Sequence, residues 1–171
     1  MRFLKVQDLT AEAFKPFGDV IEAGVSDPVM INEGTTERYH NLAKVDVTMQ
    51  DGVPLINIFR GTPRAQPIEI RMMENHPLGS QAFMPLSARP YYVVVAKPGK
   101  TVGPDDLCCF LAQPGQGVSY ARNVWHHPLL ALEEVSDFLV VDRGGSGNNL
   151  IEFFFEDDDY VYLPEHNRDE K

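Results

Sequence analysis

The sequence predicts an all-β protein: a barrel or jelly roll of mainly antiparallel strands, with one or two short helices. Three observations carry this. Thirteen Gly and thirteen Pro are spread along 171 residues, which leaves little room for long helices. Short apolar stretches recur at spacings near ten residues with turn residues between them, the pattern of sandwiches and barrels. Hydrophobic residues make up 43% and charged residues 23% of the chain, a globular balance that excludes disordered and fibrous classes. The length fits a single domain over residues 1–171. A chain of this size buries roughly 70% of its unfolded surface.

The elements follow in order. Thr10 is placed to cap a helical turn reaching Lys15, and Pro16-Phe17-Gly18 stops it. Leu55 to Arg60 is a strand between Pro54 and Gly61, and Ile68 to Met73 is a strand after Pro67. Tyr91 to Ala96 is apolar throughout and reads as a buried strand. Leu107 to Ala112, Val118 to Arg122, Leu129 to Leu132, Phe138 to Asp142 and Leu150 to Phe155 complete the set. Glu156 to Asp159 is an acidic run, read as a solvated turn, and the chain is expected to fray from about residue 156.

Charge and cysteine usage narrow the function. Fifteen Lys and Arg against twenty-five Asp and Glu give a net charge of −10, which disfavours nucleic acid and anionic membranes as partners. A local basic patch can still hold a small acid. The longest clearly apolar run, Tyr91 to Ala96, is far short of the roughly 20 residues of a membrane span. The start, MRFLKVQDLTAEAF, has no apolar signal region, and the only cysteines, Cys108 and Cys109, are neighbours that form no disulfide framework. A cytoplasmic location is expected, with both cysteines structural.

Polar residues gather at two places. From Ile68 the even positions run Ile68, Ile70, Met72, Glu74, His76, and alternate residues of a strand share a face. With the apolar members facing the core, Glu74 and His76 project into the same interior. A buried carboxylate and imidazole need partners, which a metal ion or polar ligand supplies. The second place is Asn123-Val124-Trp125-His126-His127-Pro128, where two histidines follow the only Trp. Trp125 is expected to pack rather than to hold substrate.

These spacings resemble the cupin barrel motifs, H-x-H, three or four residues, E, six residues, G, and P-x-G, two residues, H. Glu74-x-His76, four residues, Gln81 and then Ala88 match the first; Ala121-x-Asn123, two residues, His126 match the second. Glu74 stands for the first His, Gln81 for the Glu, Ala88 for the Gly, and Ala121 and Asn123 for Pro and Gly. The resemblance implies Glu74, His76, Gln81 and His126 as metal ligands. Gln is a neutral, weaker ligand than Glu, so the metal is expected to be weakly held.

A closer resemblance runs to about Gly145. ERYH at 37–40, ENHPLGSQAFMP at 74–85, NVWHHPL at 123–129 and DFLVVDRGG at 137–145 are similar to the ureidoglycolate lyases of bacterial allantoin degradation. That resemblance implies a cupin-type homodimer with a divalent metal, usually nickel, that splits ureidoglycolate into glyoxylate and urea. The implied catalytic residues are Glu74, His76 and His126. An imidazole, with an ordinary pKa near 6.5, suits the proton steps.

The substrate carboxylate asks for a planar fork of donors, which Arg offers. Arg38, Arg60, Arg122 and Arg143 sit at strand ends or turns. Arg60 shares a face with Ile56 and Ile58, so it points inward if they do. Arg38, Tyr39, Arg60, Gln81 and Arg122 are the substrate-binding candidates. Tyr39 and His40 suit either a barrel mouth or a dimer contact. The alternative to a lyase is a non-catalytic cupin that senses a small organic acid.

Overall fold

The computed structural model describes residues 1–167. Its strands, in chain order, are β1 (Arg2–Phe3), β2 (Val6–Asp8), β3 (Gly18–Ile21), β4 (Val29–Ile31), β5 (Thr36–Arg38), β6 (Val53–Gly61), β7 (Ile68–Ile70) and β8 (Met72–Asn75). They continue as β9 (Gln81–Pro85), β10 (Tyr91–Ala96), β11 (Cys108–Ala112), β12 (Gly117–Tyr120), β13 (Trp125–His126), β14 (Leu130–Ala131), β15 (Ser136–Gly144), β16 (Ile151–Phe154) and β17 (Val161–Leu163). Most pairings are antiparallel, and the fold is all-β and cupin-like. The α-helix α1 (Ala11–Phe14) is a single turn, capped by Thr10, whose hydroxyl accepts from the Ala13 amide at 3.1 Å.

Two large sheets and one small one make three layers. One large sheet runs β3-β12-β9-β15-β6, and the other β16-β8-β13-β10-β11-β2, with β14 also on β10. Their facing sides share a core of Phe83, Tyr120, Phe138 and Val140 from the first and Tyr91, Val93, Val95 and Phe110 from the second. Phe14 anchors the helical turn in that core. The small sheet, β1-β17-β7, covers the outer face of the second, where Ile70, Val161 and Leu163 meet Met73, Val94, Cys109 and Trp125. Because β10 is covered on both faces, all six of its residues are buried, which explains its unbroken apolar run.

Three expectations are corrected here. Ile68 to Met73 is not one strand: the chain breaks between β7 and β8 at Arg71. Ile68 and Ile70 therefore pack in the outer layer, and Met73, not Met72, joins them there. Glu74 and His76 still face the interior between the large sheets, but through the parity of β8 alone. The chain does not fray from residue 156, because Val161 and Leu163 are fully buried in β17. On β6 the row toward Phe83 is Asn57, half-buried, and Phe59, edge-on to Phe83 though 37% exposed, while Ile56 and Ile58 are 76% and 56% exposed. Arg60 belongs to that outward row.

Candidate active site

Three strands and a turn bring the polar residues together. On β8, Glu74 lies between buried Met73 and Asn75, and His76 follows directly after the strand. The pairing of β13 with β8 sets His126 directly opposite Glu74. Gln81 opens β9 after the turn Pro77-Leu78-Gly79-Ser80. A side chain at Gly79 would strike the Cβ of Arg143 at 2.7 Å, so the turn that joins β8 to β9 needs glycine there. Asn123 stands where the cupin pattern has glycine, and its φ of 65° shows why Asn serves: it tolerates the left-handed region.

One ligand atom from each of Glu74, His76 and His126 lies within 4.8 Å of the others. His126 Nε2 is 3.5 Å from Glu74 Oε1, and the two imidazole rings are 5.0 Å apart. Tyr120 stacks on His126 at 4.3 Å with ring planes 10° apart, which fixes the ring's tilt. The ring's Nδ1 faces the Val124 carbonyl at 3.2 Å, so it carries the proton and leaves a lone pair on Nε2. Burial lowers the pKa of His126, the neighbouring His76 adds to this, and Glu74 opposes it. The neutral ring is the form a cation binds.

His76 is held from both sides. Its Nδ1 donates to the Asn149 carbonyl at 2.7 Å, and its Nε2 faces Gln81 Oε1 at 3.1 Å. Gln81 is turned that way because its amide nitrogen donates to Asp142 Oδ2 at 3.2 Å. Asp142 also accepts from Asn57 at 2.9 Å. Two acceptor atoms, His76 Nε2 and Gln81 Oε1, therefore point at each other and call for a proton or a cation between them. Nearby, His126 Nε2 is buried with no hydrogen-bond partner. Two imidazole nitrogens, a carboxylate and an amide oxygen form a donor set that suits a divalent transition metal.

A cavity of about 350 Å³ opens on this cluster, lined by Phe59, Glu74, Gln81, Phe83, His126 and Leu129 among others. Arg60 stands at its rim, but its guanidinium is forked onto Asp137 at 2.7 and 2.9 Å. The other basic candidates lie elsewhere. Arg38 is exposed on the β4–β5 hairpin. Tyr39 donates to Glu37 at 3.2 Å beside a different cavity. Arg122 binds Asp46 at 2.8 Å, and buried Arg143 is spent on the carbonyls of Met49, Gln50 and Ser146. His127 points away from His126 into another cavity, and Trp125 is buried with its indole N–H on the Gly99 carbonyl at 3.1 Å.

Asp142 and Tyr120 are the site residues that sequence reasoning missed. The signal was available. Asp142 continues the buried row Phe138, Val140 of β15, and Tyr120 follows Val118 on β12, so the parity that found Glu74 finds both.

An all-β, cupin-like fold with a His/Glu cluster beside a cavity defines the class of protein. The sequence profile of the ureidoglycolate lyase family matches residues 1–162. A Burkholderia mallei protein named ureidoglycolate lyase is 56% identical over 152 residues, 89% of each chain. Its namesake from Brucella melitensis biotype 2 is 58% identical over 159 residues, 93% of this chain and 92% of that one. The chain belongs to the ureidoglycolate lyase family.

Proposed function

We propose that this protein is a carbon–nitrogen lyase that splits ureidoglycolate into glyoxylate and urea, with Glu74, His76, Gln81 and His126 as its reaction centre. The observation that supports the placement is the buried, unpartnered His126 Nε2 facing Glu74 inside a cavity large enough for a small acid.

The chemistry is a proton relocation. The hydroxyl proton leaves as the C–N electrons move to the ureido nitrogen, that nitrogen takes a proton, and no water is consumed. Glu74 is the lining group that accepts the hydroxyl proton and returns one to the departing nitrogen. His126 and His76 flank Glu74 with their Nε2 lone pairs turned to the cluster, and Asp142, through Gln81, fixes the donor set. A divalent cation, nickel by family resemblance, held by Glu74, His76, Gln81 and His126 would acidify the hydroxyl and orient the substrate carboxylate. Arg60 is the basic residue at the rim and is proposed to receive the carboxylate by exchanging it for Asp137. Phe59, Phe83 and Leu129 exclude water around the reacting carbon.

The protein is further proposed to act as a homodimer in the cytoplasm. The edge strand β6, with Ile56 and Ile58 exposed, supports a self-pairing surface, and two free cysteines suit a reducing compartment. No helix of the described residues is long and apolar enough to cross a membrane.

The decisive assay follows glyoxylate and urea together from ureidoglycolate with nickel-supplemented protein. Equimolar release above the spontaneous rate is expected. Saturable binding of the acid with no release would instead make the protein a sensor.

A further inference from the structure

A second cavity, about 640 Å³, lies on the far side of the His126–His127 peptide and takes no part in the chemistry above. Arg64, Glu69, Arg71, His127, Phe154 and Tyr160 are among its walls. The two guanidinium groups differ. Arg71 is paired with Glu69 and lies over the Tyr160 ring at 5.3 Å. Arg64 makes no hydrogen bond or ion pair among the described residues. In a chain of net charge −10, with carboxylates in excess, an arginine left unpaired at a cavity wall is available to a bound anion.

His127 supplies the second polar group. It is only 4% exposed, and its Nδ1 donates to the Pro128 carbonyl at 2.8 Å. Its Nε2 is thus an acceptor, and no residue among those described donates to it. The third feature is apolar: Phe154, 66% exposed, and Phe155 stand beside Tyr160 along one wall. Glu69 in the wall disfavours a polyanion, so a phosphate ester fits poorly where a single carboxylate fits well.

We propose that this cavity is a second binding site, for a small organic monoacid with a flat apolar body and a hydrogen-bond donor at the other end. Arg64 takes the carboxylate, the aromatic wall takes the body, and His127 Nε2 accepts from the donor. The proposal rests on this cavity's own geometry and stands or falls apart from the lyase reading.

Calorimetric titration with three probes tests it: 4-hydroxybenzoate, benzoate and 4-hydroxybenzyl alcohol. The expected order is 4-hydroxybenzoate tightest, benzoate weaker, and the uncharged alcohol weakest. Arg64→Gln should weaken both acids by about tenfold or more, the scale of one lost charge-assisted contact. Turnover without probe should be unchanged in that variant. His127→Phe should bring 4-hydroxybenzoate down to the affinity of benzoate. Amide NMR shifts should centre on Ala65 and Phe154. The proposal is overturned by no saturable binding at millimolar probe, by equal affinity in Arg64→Gln, or by shifts centred on Glu74 and Gln81. Should His127→Phe fail to fold, Arg64→Gln, an exposed position, decides alone.

Discussion

Gln81 gives its amide nitrogen to the Asp142 carboxylate at 3.2 Å and so aims its carbonyl oxygen at His76. An ionised carboxylate only accepts, so it settles which end of the amide faces the histidine. Asp142 is therefore a positioning residue. Asp142→Asn removes that decision, since an amide partner bonds either end of Gln81. We expect kcat and divalent-metal affinity each to fall by about 10–100-fold, the usual cost of losing a group that orients a ligand. The melting temperature should change little, because Asp142 is only half-buried. A normal metal affinity in Asp142→Asn would show that Gln81 is held by something else.

His126 closes the cluster from a distant part of the chain, while Glu74 and His76 arrive on one strand. His126→Ala is expected to lose 10²–10⁴-fold in kcat, the typical range for a proton-transfer group. His127→Ala is the control and should keep its turnover. Measuring kcat and melting together separates catalysis from packing. If His126→Ala melted early yet its folded fraction turned over normally, the stack on Tyr120 would be its whole role.

Metal dependence has a readout besides activity. A cation that binds only the folded protein stabilises it by about 2.7 kcal/mol at a hundred times its Kd. Adding Ni²⁺ to chelator-treated protein should therefore raise the melting temperature and restore activity. Neither effect should occur in His76→Ala. Equal stabilisation of that variant would place the metal elsewhere.

The sequence made the strands legible because their apolar runs are bounded by Gly and Pro, and the helical turn because Thr10 and Pro16 bracket it. It misassigned what depends on irregularity. The break at Arg71 changes which residues of 68–73 share a face, and no residue type there announces it. On β6 each row mixes apolar and polar residues, so alternation could not choose between Ile56-Ile58-Arg60 and Asn57-Phe59; the hydrogen bond from Asn57 to Asp142 decides, and it is visible only in three dimensions. The cluster of Glu74, His76, Gln81 and His126 was legible because two spaced motifs fix it. The arginines were not, since Asp137 and Asp46 lie 77 and 76 residues away from the residues they bind.

The exposed row of β6 yields a prediction about assembly. Ile56 and Ile58 lie on an edge strand with no partner on its outer side among the described residues. Replacing both, Ile56→Lys with Ile58→Glu, puts charges where a second copy would pack. Light scattering should give a dimer for the parent and about one chain mass, 19.2 kDa, for the variant. A variant that stays dimeric moves the interface off β6.

Cys109 predicts how the protein meets high pH. Its side chain is buried in the outer layer between the second sheet and β17, and burial pushes its thiol from 9.0 up to about 12. A group whose pKa is raised by folding favours the folded state while it stays protonated in both states. That contribution is complete below pH 9.0. It shrinks as the unfolded thiol ionises above that value and is gone once pH passes about 12. Stability should therefore decline from pH 9 upward. Tyr92 adds a similar decline, but only from its ordinary value of 10.0, because burial pushes it to about 12 as well. Tyr91 and Tyr120, buried and raised as well, add to that decline, so the share of Cys109 is read as the difference between the parent and its variant at the same pH, with Cys108, half-buried and raised in the same direction, contributing to both. Cys109→Val keeps the apolar packing and removes the titration. Its denaturant midpoint should fall less steeply than the parent's between pH 9 and 10, and the two curves should run parallel below pH 8. An equal slope in both proteins would mean that Cys109 ionises in the folded state, and rapid labelling of its thiol at pH 8 in native protein would point the same way.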